Sequence, residues 1–98
     1  MKKQSADSPL ETVSVRITGK VQGVGYRAAT LRRAHLLGVR GWVRNAEDGA
    51  VEARVQGSPD GVDLMLQWMR HGPPAARVSD VQHETVYDDR RYDRFEQH

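Results

Sequence analysis

Apolar and polar residues alternate along most of this chain, and the alternation gives way twice to a helical period. In Val13-Ser14-Val15-Arg16-Ile17 the three apolar residues share one face, which predicts a strand over 12–18. From Tyr26 the period lengthens. Tyr26, Thr30, Ala34 and Leu37 fall on one face, with Leu31 beside it, and Gly38 suits the position just past a helix end. A helix over 26–37 follows. A second strand is predicted over 39–45 and a third over 50–56, where Val51, Ala53 and Val55 alternate. Only the turn Ala46-Glu47-Asp48-Gly49 separates them, so they must pair as an antiparallel hairpin. Ser58 and Pro59 read as the N-cap and first residue of a second helix, with Leu64, Met65, Trp68 and Met69 as its apolar positions. Gly72-Pro73-Pro74 stops it. A fourth strand is predicted over 78–85. Val78 and Val81 break its alternation, so a bulge or a late start is expected. After the polar turn Asp88-Asp89-Arg90-Arg91, residues 92–97 read as a last, edge strand.

The order β-α-β-β-α-β plus a terminal strand is that of the ferredoxin-like, split βαβ arrangement, an α+β fold. It predicts an antiparallel sheet with both helices on one face and a solvated, polar opposite face. The first strand lies centrally, beside the third. The exits of the first and second strands then reach the same end of the sheet.

Ninety-eight residues suffice for one domain with one modest core. The domain is expected over 12–98, behind a short disordered tail over 1–11 that lacks the apolar stretch of a signal peptide. No apolar run approaches the ~20 residues of a membrane span. The chain has no cysteine, which excludes disulfides, thiolate nucleophiles and Cys-based metal sites and fits a reducing compartment. A cytoplasmic location is the default expectation. Fifteen basic residues against thirteen acidic ones leave a net charge of +2, enough to favour small anions but a weak footprint for nucleic acid.

The chemistry concentrates in Gly19-Lys20-Val21-Gln22-Gly23-Val24-Gly25-Tyr26-Arg27. A glycine-rich turn between a strand and a helix start gathers unpartnered N–H groups at the positive end of the helix dipole, a combination that binds anions. Arg27 adds a guanidinium fork suited to phosphate. Read singly, each feature has a plainer account: the loop as a turn, Arg27 as a surface helix residue, Asn45 as a turn former ahead of Asp48-Gly49. His35, His71, His83 and His98 show no metal-ligand spacing and read as surface residues. Trp42 and Trp68 read as packing residues and Ser58 as a cap rather than a nucleophile.

Taken together, residues 19–27 resemble the first signature of the acylphosphatase family. Gly41-Trp42-Val43-Arg44-Asn45, followed by Asp48-Gly49 and Val51-Glu52, resembles the second. Gln56-Gly57, Trp68, residues 72–78 and the closing Phe95-Glu96 fit in order and spacing, so the resemblance covers roughly 12–97. It implies a small hydrolase acting on the carboxyl-phosphate bond of acyl phosphates. By resemblance, the backbone N–H groups of Gln22, Gly23, Val24, Gly25 and Tyr26 bind the phosphate, Arg27 is the phosphate-binding arginine, and Asn45 orients the attacking water. Gly25 stands where many members carry a larger residue, which would loosen the loop. Ala46 stands where some have Thr, which would remove a supporting hydrogen bond.

Such chemistry needs neither metal nor cofactor. The leaving group is a stable carboxylate, and the transition state is stabilised mainly by positioned donors. The expected partners are an acyl phosphate and inorganic phosphate, with no nucleic acid or membrane, for a monomer of broad acyl specificity. Two alternatives stand beside this. One is a non-catalytic anion-binding or regulatory domain of the same fold. The other is RNA binding, which uses aromatics on the two central strands; the first and third strands here carry none.

Overall fold

The computed structural model describes residues 10–98, so the expected tail lies outside the described residues up to residue 9. The elements are β1 (Glu11–Lys20), α1 (Tyr26–Leu37), β2 (Arg40–Asn45), β3 (Val51–Gly57), α2 (Pro59–Met69), β4 (Arg77–Thr85) and β5 (Phe95–Gln97). Strand β1 begins before the predicted boundary, because Glu11 already pairs with Gly57 of β3. Strand β5 is shorter than the predicted 92–97.

The sheet runs β4-β1-β3-β2-β5. The four strands of the split βαβ pair antiparallel, as the element order predicts. The terminal strand is added in parallel against β2, through Gly41 opposite Phe95 and Val43 opposite Gln97, so the five-stranded sheet is mixed. Direction explains this. The chain leaves β4 at the end where β1 begins and re-enters beside β2 pointing the same way as β1. Strands β1, β2 and β5 therefore all finish at one end of the sheet.

The helices cover the sheet face that carries Val13, Val15, Ile17, Val43, Val51, Ala53 and Val55, all buried. From α1, Tyr26, Thr30 and Ala34 point inward as the spacing predicts, while Leu31 and Leu37 pack at the margin. The inward face of α2 differs from the expectation. It consists of Val62, Met65, Leu66 and Met69, and Leu64 is turned out, 48% exposed. The observed spacing of three, one and three is one helical stripe, whereas Leu64 lies about 100° away from Met65 on the helix wheel. Burying each such side chain stabilises by about 1.5–3 kcal/mol. The N-cap is as predicted: Ser58 Oγ accepts from Gly61 N–H at 3.1 Å, with Pro59 following it.

The irregularity expected in the fourth strand is a bulge. Thr18 pairs with Asp80 but Gly19 pairs with Val78, leaving Ser79 as the extra residue. That one-residue insertion brings both Val78 and Val81 to the core, which strict alternation could not do. The same bulge, with Asp80 and Glu84 along this edge strand, discourages pairing with another sheet.

One buried polar residue ties the sheet to the segment between β4 and β5. Gln56, 1% exposed, donates to Thr12 Oγ1 at 2.9 Å and to the Arg90 carbonyl at 2.7 Å, and accepts from Tyr92 N–H at 3.0 Å. Gln56→Leu strips partners from all three groups. It should cost roughly 2–4 kcal/mol of stability. Chemical denaturation would show this as a lower midpoint with an unchanged slope; an unchanged midpoint would mean these bonds are replaced by water at no cost.

Candidate phosphate site at the strand ends

The shared direction of β1, β2 and β5 decides what meets at their common end. The loop after β1, Asn45 at the end of β2 and Gln97 at the end of β5 enclose a cavity of about 120 Å³. Gly23, Gly25, Tyr26, Arg27 and Asn45 line it, joined by Val21 and Ala28. The two halves separated in the sequence are thus brought together.

The loop turns on two glycines with left-handed backbones, Gly23 at φ 76° and Gly25 at φ 80°. Gly25 is also the N-cap of α1, and it offers no side chain to cap the helix. No acidic residue lies in the first turn of α1 either. Helix α2 is the opposite case, with Ser58 capping and Asp60 in its first turn. The first-turn N–H groups of α1, which no helical carbonyl can reach, thus have neither a side-chain cap nor an acidic neighbour in that turn. A left-handed non-glycine residue at position 25 would be strained by roughly 1–2 kcal/mol, so glycine relaxes this turn.

Arg27 lies in this first turn. Its Nη1 donates to the His98 backbone oxygen at 2.6 Å, and His98 is itself held by its N–H to the Val43 carbonyl at 2.8 Å. One of the five guanidinium donors is thereby engaged, which fixes the direction of the fork. The Tyr26 side chain is turned into the core. Its hydroxyl donates to the Met69 carbonyl at 2.7 Å, and burial pushes the phenol well above its ordinary pKa. Tyr26 can therefore serve the cavity through its backbone only. Val24 packs against the core. The Gln22 carboxamide also stays out of the cavity, donating instead to the Ala46 carbonyl at 2.8 Å and the Ala50 carbonyl at 2.9 Å. Of the predicted loop residues, Gln22 and Val24 are not among those lining the cavity.

Asn45 is exposed at the mouth of the turn. The turn is closed by other groups: Ala46 N–H to the Ala50 carbonyl at 2.8 Å, Gly49 N–H to the Ala46 carbonyl at 3.3 Å, and Ala50 N–H to Asp48 Oδ1 at 3.2 Å. The Ala50 N–H, and Arg16 beyond it, hold the Asp48 carboxyl below its usual range. Turn formation thus falls to Asp48, and the Asn45 carboxamide takes no part in it among the described residues.

A larger concavity, about 550 Å³, lies on the open sheet face beside Arg16, Trp42, Arg44 and Arg54. Its charges are largely matched. Arg16 pairs with Asp48 and Glu52, Arg44 with Glu52 at 3.1 Å, and Arg54 approaches Asp88 at 4.0 Å. Trp42, read as a packing residue, lies half-buried on this face, stacked on the His98 ring at 6.0 Å. At the uncapped helix end, by contrast, the side chains lining the cavity with Arg27 include no Asp or Glu. All four histidines are exposed, as expected.

Two contributors went unforeseen, Gln97 in the wall and the His98 backbone oxygen behind Arg27. Nothing local marks them, since their place depends on β5 running parallel to β2.

Known proteins resemble this chain along nearly its whole length. A family model described as Acylphosphatase matches residues 13–97. An acylphosphatase of Paraburkholderia xenovorans is 59% identical over 92 residues, covering 94% of this chain and 95% of the relative. Among solved structures, an acylphosphatase from Coxiella burnetii superposes with a TM-score of 0.88 at 32% identity, covering all of both chains. One from Bacillus subtilis gives 0.86 at 27% identity, covering 91% of this chain and 98% of the other.

Proposed function

The chain belongs to the acylphosphatase family and hydrolyses the carboxyl-phosphate bond of acyl phosphates, and from that premise we propose how its residues do so. The phosphoryl group lies in the loop, held by backbone N–H groups between Gln22 and Tyr26 and by the Arg27 fork. The Asn45 carboxamide, acceptor and donor in one group, orients a water in line with the bond to be broken. The water oxygen bonds to phosphorus as the phosphorus–oxygen bond to the acyl group breaks. The carboxylate leaves with the electron pair, and the water's proton passes to a phosphate oxygen. Charge spread over the phosphoryl oxygens is met by donors already aimed at it, which is the main catalytic contribution in such transfers.

The observation that carries this reading is the uncapped start of α1 facing the same small cavity as Asn45. The donor set supports a metal-free route: the residues lining the cavity include no carboxylate or histidine to hold a cation. They also include no protein base, because the Tyr26 phenol is engaged elsewhere and kept neutral by burial. The reading extends to a monomer in the cytoplasm acting on small acyl phosphates and releasing phosphate, without nucleic acid or membrane. The broken alternation and charges of β4 support the monomer.

Benzoyl phosphate hydrolysis by the pure protein, with and without chelator, tests the reaction. Turnover should be unaffected by chelator and flat between about pH 6 and about 8, since no histidine or carboxylate side chain lines the cavity to act as a base. Turnover abolished by chelator would sink the metal-free route. A profile controlled by a group removed with one histidine would sink the transfer of the proton to substrate.

A further inference from the structure

Gln22 belongs to the phosphate loop, yet its carboxamide reaches across to the β2–β3 turn. We infer that Gln22 is a positioning residue for hydrolysis: its NH₂ group grips both sides of that turn and so sets the distance from the loop to Asn45. The inference rests on the roles proposed above for Arg27 and Asn45.

The geometry is specific. Ala46 directly follows Asn45, and Ala50 directly precedes Val51, the residue opposite Asn45 in the ladder. The two carbonyls that accept from Gln22 thus flank the neck of the turn, one just after β2 and one just before β3. Each already accepts one turn hydrogen bond, Ala46 from Gly49 N–H and Ala50 from Ala46 N–H, so Gln22 takes up the second acceptor site of each. A primary amide has two N–H donors on one nitrogen, matching two acceptors. The β1–β3 ladder has ended by this point, its last pair being Ile17 with Val51. Past that pair the loop and the turn are separate excursions of the chain, and the Gln22 amide links them. With Ala at position 46 there is no hydroxyl to help, so the tie runs through the main chain. Displacement of a reacting group by about 1 Å can cost roughly 10²-fold in rate, so a loosened neck should be felt at the water.

Gln22→Met keeps length and loses both donors. It should lower kcat for benzoyl phosphate by roughly 10–100-fold. Inhibition by inorganic phosphate should stay within about threefold, because the loop donors and Arg27 are untouched. If Gln22 acts through Asn45, the same change made on Asn45→Ala should cost less than about twofold. Gln22→Glu adds a readout independent of folding losses. Ionised, it has no donor; protonated, it regains one O–H. Its kcat relative to wild type should therefore recover as the pH is lowered towards about 5.

A kcat for Gln22→Met within about twofold of wild type would overturn the inference. So would full multiplication of the two losses in the double variant, or a Gln22→Glu deficit that ignores pH. Wild-type turnover by Asn45→Ala has a different meaning, because it removes the water-orienting role itself and the positioning role with it.

Discussion

Arg27→Ala is expected to lower kcat/KM for an acyl phosphate by roughly 10³-fold, with rate and phosphate affinity falling together. Arg27 is the one charged side chain among those lining the cavity, and it sits at the uncapped end of α1. The phosphoryl group is charged both before and during transfer. Losing the fork therefore weakens ground-state binding as well as the transition state. The helix should survive. Arg27 is only partly buried, and its one side-chain hydrogen bond among the described residues, to the His98 backbone oxygen, is exposed. Arg27→Lys sharpens the test, because a lysine keeps the charge but cannot present two parallel donors. It should recover part of the phosphate affinity and much less of kcat. Phosphate inhibition constants and steady-state rates on benzoyl phosphate, with a melting curve as control, measure all of this. An Arg27→Ala enzyme within about threefold of wild type would remove the phosphate from this cavity.

The second large effect is expected at Asn45, and its pattern should differ. Asn45→Ala should lower kcat by roughly 10²-fold, about 2.7 kcal/mol of activation free energy, while phosphate inhibition stays nearly unchanged. The reason is the division of labour proposed at the strand ends. In that proposal the loop and Arg27 supply donors to an anion, whereas Asn45, which lines the cavity from the end of β2, adds no charge. A residue that acts on the water and not on the phosphate shows itself in turnover and not in product affinity. Stability should hardly move, since the turn is closed by Ala46, Asp48 and Ala50. If phosphate affinity falls in parallel with kcat, Asn45 is a phosphate ligand and the water has another guide.

Most of the fold was legible in the residues because its rules are short-ranged. Alternation in β1 and β3, the Ser58-Pro59 start of α2 and the Gly38 end of α1 depend on neighbours a few positions away. The broken alternation of Val78 and Val81 was readable too, as a bulge or a late start, and the register shows that it is a bulge. Leu64 was misread for an equally local reason. Hydrophobicity marks which residues favour burial, but on a short helix it leaves open which of two overlapping stripes meets the sheet. Val62 and Leu66 complete the stripe that does.

The site divides along the same line. The sequence by itself determined its two chemical halves: a glycine turn that leaves a helix start uncapped, with Arg27 in its first turn, and an Asn ahead of a tight hairpin turn. Both follow from local backbone geometry and from which donors a side chain carries. The element order placed both strand exits at one end of the sheet, but their closure on one cavity was decided by the tertiary structure. Strands β1, β2 and β5 share a direction, so loop, Asn45 and chain end arrive at one edge of the sheet. The finer settings were decided there too, Arg27 held by a backbone oxygen 71 positions away and Gln22 by carbonyls 24 and 28 positions away. Such contacts leave no local trace, because they exist only once the packed sheet has already made up the entropy lost in closing those long stretches of chain.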